Sequence, residues 1–302
     1  MKDNQTDSRN CPICGSLDET HVFCEANIDV AKLDKFAFAS RKLPEYMYHR
    51  LILCPRCDLA YASPLPHVDT FASAYESADF DSSEEAQWAA RTYGTYTRKV
   101  VSGMRDRQGA IDIGTGDGVF LDELLALRFD GVVGIEPSAA PIRAARPHIK
   151  PLIRQALFSA SAFPPSSVAL ITCFQTIEHV YDPLVLCKDA YGLLKEGGAL
   201  LLIGHNRRSV SASLLKTRSP IYDIQHLQLF SEVSFRHLLM SAGFKRIRVF
   251  PILNRYPLHY LIKLSPFKPS HKIALIKLLK RLGIGYIPVI LPLGNLGAVG
   301  YK

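Results

Sequence analysis

The stretch Ala110-Ile-Asp-Ile-Gly114-Thr-Gly116-Asp-Gly118-Val-Phe-Leu-Asp-Glu-Leu-Leu125 decides the fold. A short apolar run carries an acid near its end, three glycines alternate, and a helical pattern follows with Phe120, Leu121, Leu124 and Leu125 inward. That order reads as strand, tight turn, helix. Glycines at 114, 116 and 118 let the main chain take positive φ and close on a ligand. Their G-x-G-x-G spacing differs from the G-x-G-x-x-G of dinucleotide folds, where amides face a pyrophosphate. A carboxylate at Asp112 beside such a turn suits a phosphate-free ligand with a cationic amino group.

Outward from the turn, Gly131-Val-Val-Gly-Ile-Glu136-Pro137-Ser reads as a second strand ending in an acid, 18 residues after Gly118. An acid there can take two ribose hydroxyls in a bidentate hydrogen bond. Alone it reads equally as an exposed loop residue; the glycine turn upstream favours the ligand. A third apolar strand, Val168 to Phe174, leads into Gln175-Thr-Ile-Glu178-His179-Val-Tyr-Asp182-Pro. A helix with Leu184, Leu186, Ala190, Leu193 and Leu194 follows, then the turn Lys195-Glu-Gly197-Gly198 and the strand Ala199 to Ile203. Strands alternating with helices predict an α/β fold with a parallel sheet.

These residues resemble the class I S-adenosylmethionine-dependent methyltransferases, in the group whose fourth strand ends in an E-H-V-x-D-P-like segment and whose next strand follows an L-K-x-G-G turn. The resemblance covers roughly residues 70 to 250. It implies a Rossmann-like seven-stranded methyltransferase sheet with helices on both faces and an antiparallel last strand. It implies S-adenosylmethionine as cofactor, with Asp112, Gly114 and Gly116 on its methionine part and Glu136 on its ribose. Thr115, Gly118, Pro137, Gln175 and Glu178 complete the expected cofactor-binding set. The chain departs from the family at the adenine: many relatives carry an acid before a Phe-Asp pair opening strand four, and Phe158 to Ala169 contains none. Ser159, Ser161, backbone amides or apolar packing must then serve.

Four of seven cysteines form two knuckle-like pairs, Cys11-Pro-Ile-Cys14-Gly and Cys54-Pro-Arg-Cys57-Asp. Two such turns meeting in space supply the four sulfurs that a tetrahedral Zn²⁺ prefers. A dithiol redox pair is the competing reading, but neither C-x-x-C sits in a thioredoxin-like βαβ context. A closed four-cysteine site leaves no position for substrate, so the zinc is structural, in a small N-terminal zinc-ribbon-like lobe. Double knuckles of this kind recur in bacterial relatives of the family. Cys24 is unpaired, and Cys173 and Cys187 read as buried thiols. The expected organisation is a zinc lobe over 1–65, a helical linker and cofactor cover over 66–105 that includes Tyr75 and Trp88 to Tyr96, and the methyltransferase domain over 106–302.

The chain carries 36 basic and 28 acidic residues, a net +8. The last acid is Glu232; twelve basic residues lie beyond it, leaving 24 basic against 28 acidic before. Between the expected sixth strand, around Lys245 to Phe250, and the closing Asn295 to Tyr301, a basic insertion at about 251–293 replaces a short connection. Within it, Leu275, Leu278, Leu279 and Leu282 fall in one helical arc with Lys277, Lys280 and Arg281 opposite. Either the leucines pack on the sheet, or segment 271–283 makes peripheral contact with an anionic membrane or a lipid-linked acceptor. No nucleic-acid motif accompanies the charge, so no nucleic-acid partner is expected. Glycines and prolines break the uncharged run Leu282 to Tyr301, which reads as turns and strands rather than a membrane span. The polar start MKDNQTDSRN lacks a signal-peptide core, so the cytoplasm, with peripheral contact to the inner membrane face, is the expected location.

Methyl transfer from a sulfonium is an in-line displacement in which the protein aligns the acceptor and, for hydroxyls, removes its proton. His179, just past strand four, is a candidate general base with Glu178 beside it; the competing reading has it packing the next helix. Resemblance to ubiquinone-biosynthesis O-methyltransferases implies that the Glu-His pair lies by the active site. His226, in a segment resembling the family's H-x-x-x-[FY]-[ST] pattern before its last helix, is the second catalytic candidate. His205 follows strand five. The expected function is methyl transfer, O-methylation favoured, to a small-molecule, glycan or lipid-linked acceptor. The alternative is a non-catalytic zinc-binding adaptor with a degenerate methyltransferase fold.

Overall fold

The computed structural model describes residues 6–7, 9–17, 21–29, 46–66, 84–265 and 269–302. Tyr75 therefore lies outside the described residues. The N-terminal part contributes β1 (Thr6–Asp7), β2 (Val22–Cys24), β3 (Leu51–Leu53), β4 (Ala60–Ala62) and β5 (Leu65–Pro66). After α1 (Glu84–Val100) come β6 (Gln108–Ile113), α2 (Leu121–Ala126), β7 (Asp130–Glu136), α3 (Ala139–Ala144), β8 (Ile153–Gln155) and β9 (Val168–Phe174). The chain continues through α4 (Pro183–Leu193), β10 (Leu194–His205), α5 (Val210–Leu215), β11 (Gln228–Leu229) and α6 (Glu232–Ser241). It ends with β12 (Arg246–Pro257), α7 (Leu258–Leu264), α8 (Pro269–Arg281) and β13 (Pro288–Tyr301).

Seven strands form the central sheet in the order β12-β13-β10-β9-β6-β7-β8. β6 to β10 pair in parallel, and β13 runs antiparallel to both of its neighbours. This is the sheet the resemblance implied. Its central strands are buried on both faces, Val168 to Cys173 and Ala199 to Ile203 throughout, as near-continuous apolar runs require. Gly197, with φ 78, sits in the β-bulge where Leu194 pairs with Val168 and Ala199 with Leu170. The Gly-Gly turn thus becomes the irregular start of β10. α2 is only one and a half turns long, so Leu121 and Leu124 are buried while Leu125, expected inward, is 41% exposed. α6 has a reciprocal cap, Ser231 and Ser234 each bonding the other's backbone N–H, which fixes where the helix starts.

β12 and β13 are longer than the sequence suggested. Their pairing continues past the sheet to Pro257 opposite Pro288, with a register slip between Ile252 and Asn254. Two facing prolines have no N–H to continue the ladder. α7, α8 and the short turn Ile284–Tyr286 cap this extension. No helix among the described residues is long and apolar enough to cross a membrane.

The cysteine-bearing segment does not stand apart. β11 pairs with β4, so a four-stranded sheet, β11-β4-β3-β2, takes three strands from the N-terminus and one from beyond β10. Cys11, Ile13, Ile52, Leu59 and Tyr61 belong to the same buried cluster as Ile171, Leu200, Phe230 and Phe235. A short segment gains stability by sharing a core.

Candidate active site

The glycine turn lies where β6 ends. Gly114, Gly116 and Gly118 all have positive φ, at 73°, 60° and 71°. At Gly114 a Cβ would meet the Thr176 hydroxyl, so close packing excludes any side chain there. At Gly116 a Cβ would meet nothing within 4 Å. Open space above a left-handed turn at the C-terminal end of a parallel strand is where such folds hold their ligands.

Two buried acids flank that space. Asp112 is 3% exposed and accepts the Thr172 hydroxyl at 2.6 Å. Burial pushes its carboxyl up to about 6, against the hydrogen bond from Thr172 and the pull of the nearby Thr115 hydroxyl. Glu136 takes the Gly116 N–H on one oxygen and the Ser138 N–H on the other, both at 2.9 Å, and burial raises its pKa as well. Pro137 follows directly, its carbonyl near the Gln155 amide. Gln175, at the end of β9, has φ 51°, and its buried Nε2 has no hydrogen-bond partner among the described residues. Two carboxylates, an unpartnered amide and a side-chain-free cradle fit S-adenosylmethionine, whose ammonium, ribose and sulfonium match negative and polar groups. Ser159 and Ser161, the candidates at the adenine, bond to each other at 2.8 Å on an exposed turn.

Beyond the turn, the structure gathers Glu178, His179, His205 and His226. The His226 ring lies 4.9 Å from that of His179 and 5.0 Å from that of His205. Glu178 is fully buried; one oxygen accepts the His205 N–H and the other has no hydrogen-bond partner among the described residues. Burial raises its pKa, while His226 acts in the opposite direction. Its backbone carbonyl receives the Leu227 N–H at 2.9 Å. Expected among the cofactor residues, Glu178 makes its contacts within the histidine cluster. His226 Nδ1 lies 2.7 Å from the Ile221 carbonyl, and His205 Nδ1 lies 3.1 Å from Asn295 Oδ1. A carbonyl only accepts, so the His226 Nδ1 carries a proton, and in the neutral ring Nε2 is the acceptor. Burial and His226 push the His205 imidazole down to about 3, so His205 is neutral at physiological pH.

Residues that the sequence did not single out hold this cluster. Arg9, on the cysteine-bearing segment, donates to the carbonyls of Ala62, Tyr181 and Leu227 and to Gln228 Oε1. Gln228, fully buried, donates to the carbonyls of Ile177 and Val180 at 2.8 and 2.7 Å. His49 Nε2 bonds the Ile224 carbonyl at 2.8 Å. Asp58, the residue after Cys57, pairs with Arg207 and Arg208. The Arg207-Arg208 pair directly after strand five was the one signal of this contact in the sequence.

The four cysteines converge. Cys11 and Cys57 sulfurs are 3.4 Å apart, as are those of Cys14 and Cys54, and all four lie within 4.8 Å of one another. A tetrahedral ion with bonds of about 2.3 Å spaces its sulfurs about 3.8 Å apart, whereas a disulfide needs about 2.05 Å. Both knuckles close alike: Gly15 donates to the Cys11 carbonyl and Asp58 to the Cys54 carbonyl, each with positive φ. The set fits a closed, structural Zn²⁺, with Cys11, Cys54 and Cys57 buried and Cys14 half-buried.

A family model described as a methyltransferase domain matches residues 96–249, and with this sheet and glycine turn the chain belongs to that methyltransferase family. Ubiquinone biosynthesis O-methyltransferase of Histophilus somni is 30% identical over 122 residues, 37% of this chain and 50% of that protein. The Pseudomonas putida (strain W619) protein of the same name is 34% identical over 103 residues, 32% of this chain and 44% of its own length. The chain thus spans about half the length of the curated relatives it matches. A solved structure from Anabaena variabilis, described as a methyltransferase from an antibiotic biosynthesis pathway, superposes with a TM-score of 0.50 at 14% identity. It covers 72% of this chain and 100% of its own, a likeness of fold.

Proposed function

We propose that this protein transfers a methyl group from S-adenosylmethionine to an oxygen of a small-molecule, glycan or lipid-linked acceptor. The observation that carries the reading is the open space at Gly116 between two buried carboxylates, Asp112 and Glu136. Bound there, the cofactor supplies an electrophilic methyl group. Asp112 receives the cofactor's ammonium, and Glu136 turns from the Gly116 and Ser138 amides to the ribose hydroxyls. Gln175 donates its free amide to the ligand. The names of the ubiquinone-pathway relatives favour oxygen as the methylated atom.

The chain's own groups then manage the acceptor. His226, held by the Ile221 carbonyl with Nε2 unprotonated, takes the acceptor's proton, and the neighbouring Glu178 carboxylate steadies the resulting imidazolium. His179, half-buried against His226, lines the acceptor side. A carboxylate acceptor needs no base; a phenol or sugar hydroxyl gains from one.

Titration calorimetry with S-adenosylmethionine and S-adenosylhomocysteine tests the reading. Binding of either ligand, weakened at least tenfold in Gly116→Val, is the expected result. Binding of neither would favour the adaptor.

A further inference from the structure

The insertion between β12 and β13 leaves an apolar face uncovered. Among the described residues, half of the twenty large hydrophobic side chains that are exposed lie between Leu253 and Leu291. α8 rests on α7 and the Ile284–Tyr286 turn instead of the sheet, with Lys272 Nζ bonded to the Lys263 carbonyl. Its leucine arc stays off the sheet: Leu275 is 36% and Leu278 52% exposed, Leu282 just past the helix end is 59% exposed, and Leu279 is half-buried. Ile287, just before the returning strand, and Ile290 on it are 53% and 60% exposed. Soluble surfaces seldom collect so many in one place without a partner.

Charge selects the partner. No acid occurs after Glu232, so α8 carries Lys277, Lys280 and Arg281 on the face opposite its leucine arc with no carboxylate from its own segment. Two copies meeting through this patch would bring together two segments that carry cations and no acid, because an isologous contact repeats each residue. A nucleic acid would take the lysines and leave the leucines and isoleucines in water. An anionic bilayer satisfies both, with phosphates for the cations and acyl chains for the leucines.

We propose that the 253–291 surface, led by α8, docks on an anionic lipid bilayer and holds the protein at the membrane face. This goes beyond the methyl-transfer reading and does not depend on it. A protein so placed would meet an acceptor that partitions into lipid.

Co-sedimentation of the full chain with phosphatidylglycerol–phosphatidylcholine vesicles tests it, with pure phosphatidylcholine vesicles for comparison. Binding to the anionic vesicles is expected, and it should weaken as salt rises. Each cation at an anionic surface is worth about fivefold in binding, so Lys277→Gln, Lys280→Gln and Arg281→Gln together should cost on the order of a hundredfold. Leu278→Ser with Leu282→Ser should abolish binding while the melting temperature stays unchanged, since both side chains already face water. No binding at low salt would overturn the proposal. So would vesicle binding that survives the serine pair, or light scattering showing a dimer broken by the serine pair and indifferent to vesicles. Heparin binding that outlasts vesicle binding in the serine pair is expected, since the cations remain.

Discussion

At Asp112 a conflict between burial and charge has a measurable consequence. The folded chain holds the carboxyl proton up to about pH 6, whereas an unfolded aspartate releases it near the ordinary 3.8. The folded state binds more protons across that window, so this residue's contribution is fully present below about pH 4 and lost as pH rises through 6. Two pKa units correspond to about 3 kcal/mol. Asp112→Asn keeps an acceptor for Thr172 and removes the charge. Compared with the parent, its melting temperature should rise at pH 7 and converge at pH 4. Cofactor binding turns the argument round. A cation arriving at Asp112 favours the ionised form, so calorimetric affinity for S-adenosylmethionine should fall roughly tenfold per pH unit below 6, with no such slope in the asparagine variant. At the histidine cluster, His226→Ala should lower turnover by roughly a hundredfold or more while leaving cofactor affinity unchanged. Unaltered turnover would remove His226 from the chemistry. His205, neutral above about pH 3, cannot supply a titration near neutrality.

Among the elements, β11 has only two residues yet ties distant parts of the chain together. Its two residues close the four-stranded sheet on β4, and Gln228 meets the carbonyls of Ile177 and Val180 while accepting from Arg9. Gln228→Ala would strand two buried carbonyls and one guanidinium donor, so urea denaturation should show a loss of roughly 2–4 kcal/mol. Little of this was legible in the sequence. The glycine turn, the acid that ends β7 and the C-x-x-C pairs could be read because each is a local pattern whose spacing is its meaning. His179 could be singled out by its place after a strand, and His226 only through a segment that resembles a family pattern. Arg9, His49 and Gln228 were not, because each acts through backbone carbonyls far away in sequence, and a carbonyl leaves no mark on residue type. The extension of β12 and β13 was missed for a related reason. On β13 the extension from Pro288 to Pro292 is exposed or half-buried throughout, and on β12 one of its buried positions is the polar Asn254, so the apolar signature by which strands are read is lost.

For the whole molecule, the question is what the cysteine cluster does for a site it does not touch. Its sulfurs lie in a core shared with Phe230 and Phe235, and its next residue, Asp58, anchors Arg207 and Arg208 while its carbonyl lies near the Ser231 hydroxyl. Arg9 and His49 reach residues 224 to 228 from the same segment. These contacts converge on the stretch that carries His226, and none runs to Gly114, Gly116 or Glu136. The lobe therefore supports the side of the site that carries His226 and leaves the glycine turn to β6 and β7. Chelating the metal should lower the melting temperature, on the order of 5 °C or more, and speed amide exchange over residues 221–231. Affinity for S-adenosylhomocysteine should stay within about twofold, since the glycine turn keeps its own packing against Thr176 and the amide bonds of Glu136. An equal loss of cofactor affinity on chelation would mean that the metal holds the whole fold together, not one side of its site. Unchanged exchange at 221–231 with the metal removed would mean that Arg9, His49 and Asp58 hold their partners without it.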